Sequence, residues 1–194
     1  ATGWTFTTKP NYALWAWGQN DYGSLGQNDR TQRSSAVQIP GEWLGISNQS
    51  GSTRSGSYFN MGNKSDGTLW MWGYGWDGCL GQNQGPGNSY SSPVQIPGST
   101  WTTNLTMGQY RVAATKTDGT LWTWGKNAKG QLGMNNETSY SSPVQLPGTW
   151  GVDVKISYGD PQTHAVKTDG TLWSWGYGEY GQLGLNEAST NTAY

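Results

Sequence analysis

The sequence predicts an all-β fold of radially stacked sheets, a β-propeller, and three observations predict it. A Trp-rich segment occurs four times, as ALWAWG, TLWMWG, TLWTWG and TLWSWG, with its first indole at Trp15, Trp70, Trp122 and Trp173. An Asp-Gly pair precedes three of the copies, at Asp66-Gly67, Asp118-Gly119 and Asp169-Gly170. The chain also holds 30 Gly and 8 Pro in 194 residues, which disfavours long helices and calls for tight turns throughout.

The elements of one copy follow in chain order. Asp-Gly between two extended runs signals a hairpin, because a tight two-residue turn needs positive φ. It joins first strands at 58–64, 111–116 and 162–167 to second strands at 68–72, 120–124 and 171–175. The first copy reads KPNYA, keeping Lys9 but placing Asn11-Tyr12 where the others have Asp-Gly. Side chains alternate along a strand, so Trp122 and Trp124 share one face, and Leu121 and Thr123 the other. The pairs Trp15/Trp17, Trp70/Trp72, Trp122/Trp124 and Trp173/Trp175 therefore read as core. Next come loops ending GSLG, GCLG, GQLG and GQLG, at Gly26, Gly81, Gly133 and Gly184. SSAVQIPG, SSPVQIPG and SSPVQLPG then start at Ser34, Ser91 and Ser141, with Pro93 and Pro143 placed where a strand begins. Pro40-Gly41, Pro97-Gly98 and Pro147-Gly148 suit type II turns. A unit of about 50 residues made of short strands cannot bury both faces alone, and radial stacking solves that. A β-solenoid has shorter coils. The chain reads as one domain, 1–194, with repeats at about 1–54, 55–106, 107–157 and 158–194, the last incomplete.

The pattern DGxLWxWGxNxxGQLG followed by SSPVQ resembles the RCC1 (regulator of chromosome condensation) repeat over residues 4–194. The resemblance implies a propeller, usually of seven blades, and the evenness of the copies resembles bacterial or viral members. Repeats of that family often carry a His near the start of the first hairpin strand. Trp4, Phe59, Arg111 and Gln162 stand there, and His164 lies two residues further on. Activity does not follow from this architecture. The namesake is a nucleotide exchange factor that also binds chromatin, and a related secreted bacterial propeller inhibits β-lactamases through an aromatic loop face. No exchange or inhibitory motif matches residue by residue. Four Trp hairpins stand against three SSPVQ-type segments, with Asn191 to Tyr194 where a further such strand is due. The expectation is a longer polypeptide, with closure by a partner as the second reading.

Composition narrows the chemistry. Eleven Lys and Arg against twelve Asp and Glu give a net charge of −1, so the basic footprint of a nucleic-acid binder is missing. No apolar run suggests membrane insertion. Cys79 is the only cysteine and reads as a small buried hydrophobe. One His and no local nucleophile motif argue against catalysis, and the absence of a His/Cys cluster argues against a metal; no cofactor is expected. Asp66, Asp118 and Asp169 are explained by their turns. Lys9, Lys64, Lys116 and Lys167 recur in all four copies and read as solvated or locally paired strand-end residues.

Loop aromatics are the candidate binding residues: Tyr22, Tyr74, Trp76, Tyr177 and Tyr180 occupy positions the repeat does not require. They either pack between blades or stack on a glycan or anchor a protein partner, and for the chain as a whole a protein partner or self-association is expected. The expected function is a non-catalytic structural or binding propeller on an extracellular or virion surface. The alternative is a protein-binding module of inhibitor or exchange-factor type, and a glycan-binding protein or glycosidase comes third.

Overall fold

The computed structural model describes residues 12–48, 58–85, 87–156 and 161–186. Lys9, Trp4, Asn11 and the segment 191–194 lie outside them. Among the described residues thirteen strands form four antiparallel sheets. The first sheet pairs β1 (Tyr12–Gly18) with β2 (Arg33–Trp43). The second runs β3 (Gly45–Asn48), β4 (Phe59–Asn63), β5 (Leu69–Gly75), β6 (Asn88–Ile96). The third runs β7 (Trp101–Gly108), β8 (Arg111–Lys116), β9 (Leu121–Gly125), β10 (Tyr140–Leu146). The fourth holds β11 (Trp150–Ile156), β12 (Gln162–Lys167) and β13 (Leu172–Gly176). β7 touches both β3 and β11, so these three strands line the inner edge and β6 and β10 the outer. Sheet and sequence period are offset: β7 precedes its hairpin partners by a turn and comes from the tail of the preceding copy.

The Asp-Gly hairpins form, but with three-residue turns. Lys64 N–H donates to Thr68 O, and Gly67 N–H donates back to Lys64 O. Only the glycine is left-handed, at φ +78°, +81° and +86° for Gly67, Gly119 and Gly170, so the turn is followed by a glycine bulge. The Asp has another task. Asp66 Oδ1 accepts from Thr68 N–H at 2.9 Å and Thr68 Oγ1 at 2.6 Å, and Trp70 Nε1 donates to Thr68 Oγ1 at 2.8 Å. Asp118–Thr120–Trp122 and Asp169–Thr171–Trp173 repeat the relay. Bonds from the Thr hydroxyl, then the Thr amide, with the nearby Lys charge, hold all three carboxyls below the usual range.

Pro93 and Pro143 do not begin strands. They lie inside β6 and β10, where register shifts between Met71 and Gly73 and between Tyr140 and Val144 interrupt the ladder. An outer-edge irregularity needs no donor from proline. Gly41, Gly98 and Gly148 have left-handed φ of +112°, +97° and +111°, but Pro40-Gly41 lies inside β2 at a register shift and the other two pairs form bends instead of the expected turns.

The indole pairs divide. Trp72, Trp124 and Trp175 are fully buried between sheets. Each donates Nε1–H to a loop carbonyl of the preceding blade: Ser24 O at 2.9 Å, Cys79 O at 2.9 Å and Gln131 O at 3.1 Å. The indoles lie so close to Gly26, Gly81 and Gly133 that a Cβ there would sit 3.3, 2.9 and 2.9 Å from Nε1. A second contact backs each of the first two junctions. Asn28 N–H donates to Ser91 O at 2.6 Å and Asn83 N–H to Ser141 O at 2.7 Å. Gly23 and Gly78 lie directly on the Cα atoms of those serines.

The first indole of each pair is not core. Trp70 and Trp122 are half-buried and Trp173 is exposed, each pinned by its Thr. Trp15 and Trp17 are 51% and 65% exposed, which corrects the expectation of a buried pair. The first copy has Ala13 in place of the relay Thr, and no described loop of a preceding blade covers Trp17.

Trp124→Ala is expected to lower unfolding free energy by about 3–5 kcal/mol in urea titrations, and Trp15→Ala by less than ~1 kcal/mol. Carboxyl NMR titrations should place Asp118 below the ordinary midpoint, with Thr120→Val moving it back up. A depressed pKa adds stability above the unfolded-state value that is lost as pH falls through the folded one, so Thr120→Val should flatten the acid limb of stability against pH.

Candidate functional site

The four loops after the Trp strands, 19–26, 74–81, 126–133 and 177–184, share a buried Leu and a closing left-handed Gly but differ at their second residue. In loops one and three this is a buried Asn. Asn20 Oδ1 accepts from Leu25 N–H at 2.8 Å while its amide donates to Asp29 O at 3.0 Å and Thr31 O at 3.1 Å. Asn127 does the same with Leu132, Asn136 and Thr138. Loops two and four carry Gly75 and Gly178 instead. The ladder of β5 continues to a Gly75–Asn88 pair, and a Cβ on Gly75 would run into the Asn88 carbonyl. Loop two therefore continues the strand and ends in one 3-10 turn, Trp76–Gly78, with Asp77 left-handed at φ +51°.

That turn puts Trp76 at the tip, 44% exposed, stacked on Tyr74 at 5.8 Å and 27°. Tyr22 of the first blade reaches across to Tyr74 at 4.4 Å and Tyr58 at 4.6 Å, and Tyr74 meets Tyr110 of the third blade at 6.4 Å. Three predicted residues, Tyr22, Tyr74 and Trp76, thus join one aromatic face spanning three blades. Burial first, then neighbouring Tyr22, pushes the Tyr74 phenol above its ordinary pKa. Next in the chain, Asp77 lines an open groove of about 240 Å³ with Asn83, Gln84, Ser139 and Ser141. Cys79 lies buried beneath, its Sγ 3.4 Å from Tyr74 O, and burial raises its thiol pKa far out of the reactive range.

Tyr177 and Tyr180 belong elsewhere. They meet each other edge to face at 6.1 Å on the fourth blade, with Lys129 Nζ 5.6 Å above Tyr177. Tyr22, Asp77, Lys129 and Tyr180 are equivalent positions, and both Tyr22 and Lys129 lean on the first loop residue of the next blade. Packing between blades is thus the role of Tyr22, and Tyr180 is 81% exposed. Tyr58 and Tyr110 were not among the predicted site residues; each directly precedes a first hairpin strand in the structure, β4 and β8.

The opposite face holds the recurring lysines. Lys64 Nζ lies 3.9 Å from the Trp70 ring and 5.2 Å from Trp43. Lys116 sits between Trp122 and Trp101, and Lys167 between Trp173 and Trp150. They are locally paired, with indoles rather than acids. Trp43, Trp101 and Trp150 were also missed; their signal is the recurrence of PGEW, PGSTW and PGTW. His164 is half-buried within β12, opposite Ser174. Among the described residues no cluster of three His, Cys, Asp or Glu could hold a metal ion, and no helix is long and apolar enough to cross a membrane.

The Regulator of chromosome condensation (RCC1) repeat matches residues 66–114, 118–166 and 169–193. The chain belongs to the RCC1 repeat family. The E3 ubiquitin-protein ligase HERC2 of Homo sapiens is 29% identical over 133 residues, covering 67% of this chain and 3% of the ligase. The ultraviolet-B receptor UVR8 of Arabidopsis thaliana is 28% identical over 179 residues, covering 90% of this chain and 39% of the receptor. The crystal structure of Prp20p from Saccharomyces cerevisiae, described with its binding properties to Gsp1p and histones, superposes with a TM-score of 0.69 at 19% identity, over 93% of this chain and 44% of Prp20p. This chain thus spans less than half the length of these relatives and shares the fold of the Prp20p structure. They are human, plant and yeast proteins and lend no support to a bacterial or viral kind.

A double-mutant cycle on Tyr22 and Tyr74 should give a coupling energy of about 0.5–1.5 kcal/mol in denaturant unfolding. Trp76→Ala should stay within about 0.5 kcal/mol of the wild type, because its outer face touches only solvent.

Proposed function

We propose that this RCC1 chain is a non-catalytic protein-binding module whose contact surface is the aromatic loop face around Tyr74 and Trp76. The observation that carries the reading is the exposed indole of Trp76 held flat on Tyr74, at the tip of a loop that leaves the Asn-stapled pattern to lift it. An aromatic anchor fixed before binding loses little conformational freedom on contact, which is the character of an interface hot spot. The neighbouring groove of amides, hydroxyls and one carboxylate supplies a polar rim.

One solved neighbour favours partner binding over surface decoration, being described by its binding to Gsp1p and histones. The relatives' names offer nothing for an extracellular or virion role, and the ligase chemistry of HERC2 lies in a protein of which this chain matches 3%. An exchange-factor-like or inhibitor-like module is therefore the reading adopted.

The test is affinity measurement by biolayer interferometry, with Gsp1p and histones as first probes. Trp76→Ala and Tyr74→Ala are expected to weaken the complex about tenfold or more. Affinity unchanged in both variants but lost on altering Trp70 and Trp122 would move the interface to the lysine face and end this reading.

A further inference from the structure

Building on the loop-face reading, we infer that the groove at Asp77 takes a basic side chain, lysine or arginine, from the protein partner. The groove opens where the loops differ at one equivalent position, held by Tyr22, Asp77 and Lys129 in loops one to three. Tyr22 crosses its blade junction to the Tyr74 ring at 4.4 Å, and Lys129 crosses its own to bring Nζ 5.6 Å from the Tyr177 ring. Asp77 has a shorter side chain than either. No ion pair ties it to Lys126, which starts the next loop and does not line the groove. Between the second and third blades a long side chain is therefore missing, and its place is open.

The walls suit a cation. Asp77, Asn83 and Gln84 come from the second blade, Ser139 and Ser141 from the third. These side chains are a carboxylate, amides and hydroxyls, all able to accept a hydrogen bond, and none is cationic. The walls are also fixed before anything binds, since Asn83 N–H donates to Ser141 O at 2.7 Å and Gly78 lies on the Ser141 Cα. The first loop's carboxylates are already engaged. Asp29 Oδ2 pairs with Arg33 Nη2 at 2.6 Å, and Asp21 Oδ1 accepts from Gln32 Nε2 at 3.3 Å. Asp77 has no such donor among the described residues.

An unpaired carboxylate in a polar groove selects a positive partner group over a neutral or negative one. Trp76 adds to that preference, because its exposed indole stands next to Asp77 in the chain and offers a ring face to a cation. The molecule already uses that contact within itself, as Lys116 does with Trp122 at 4.1 Å. A neutral sugar would use the same indole, amides and hydroxyls without needing the charge, so removing the charge alone separates the two occupants.

Histones, rich in lysine and arginine, are the probe, and their affinity for the 194-residue chain is read by biolayer interferometry. Asp77→Asn keeps the side-chain shape and is tolerated at the φ of +51° held there, so it removes only the charge. It should weaken binding about fivefold or more, and raising the salt should cost wild type more affinity than this variant. Gln84→Lys places a competing cation at an exposed lining position and should weaken binding in the same way. Asp21→Asn, which removes a carboxylate from the first loop, should leave affinity unchanged. Circular dichroism confirms that each variant folds. Binding lost in Trp76→Ala but kept in Asp77→Asn and Gln84→Lys would leave the loop face standing and overturn the basic side chain. Binding kept in all three would end both readings. Equal losses in Asp21→Asn and Asp77→Asn, or a wild type that binds no histone, would also overturn it.

Discussion

One hydrogen bond organises this molecule: an indole N–H given to a loop carbonyl of the neighbouring blade. The bond is formed in a buried seam, where leaving the donor unpaired would cost far more than the bond itself contributes. The seam closes only because the loop offers a glycine, so the ring can approach the backbone to van der Waals distance. Tryptophan supplies area and a polar handle in one side chain, which lets a chain with few aliphatic residues hold its sheets together. Blade order, the wedge between sheets and the position of each loop all descend from this contact.

The aromatic loop face depends on the same seam. Loops seated by the buried Leu and Gly of GxLG are free to vary at their outer positions without loosening the junction. Loop two uses that freedom by exchanging Asn for Gly75, which extends a strand and raises Trp76 above its neighbours. Loops one and three keep the Asn, and their amides spend their bonding capacity on the loop backbone. The glycine permits this but does not compel it, since loop four carries Gly178 at the same place and β13 still ends at Gly176.

Much of the architecture was legible in the sequence because its signals are local and repeated. Asp-Gly-Thr marks each hairpin, and the Trp-x-Trp spacing marks a strand with two working positions. What one repeat cannot reveal is which of those two positions faces a neighbour. Trp72 and Trp70 look alike in sequence, yet one fills a seam and the other roofs Lys64. Pro93 was misplaced for a similar reason: a proline tolerated at a strand start is equally tolerated at an edge bulge, and only the register separates the two. The predicted aromatic site split because blade-to-blade reach is invisible in a linear chain. Tyr22 and Tyr74 are 52 positions apart and touch, whereas Tyr177 and Tyr180 pair on a different blade.

The offset between sheet and sequence period bears on how such a chain changes size. Because β7 is borrowed from the tail of the preceding copy, excising one full period anywhere cuts two sheets at equivalent points and rejoins their complementary parts. The splice leaves no orphan strand where the two parts are rejoined. Duplication or unequal crossing-over at the DNA level can therefore add or remove blades without respecting any boundary, leaving ring closure as the sole geometric filter on copy number.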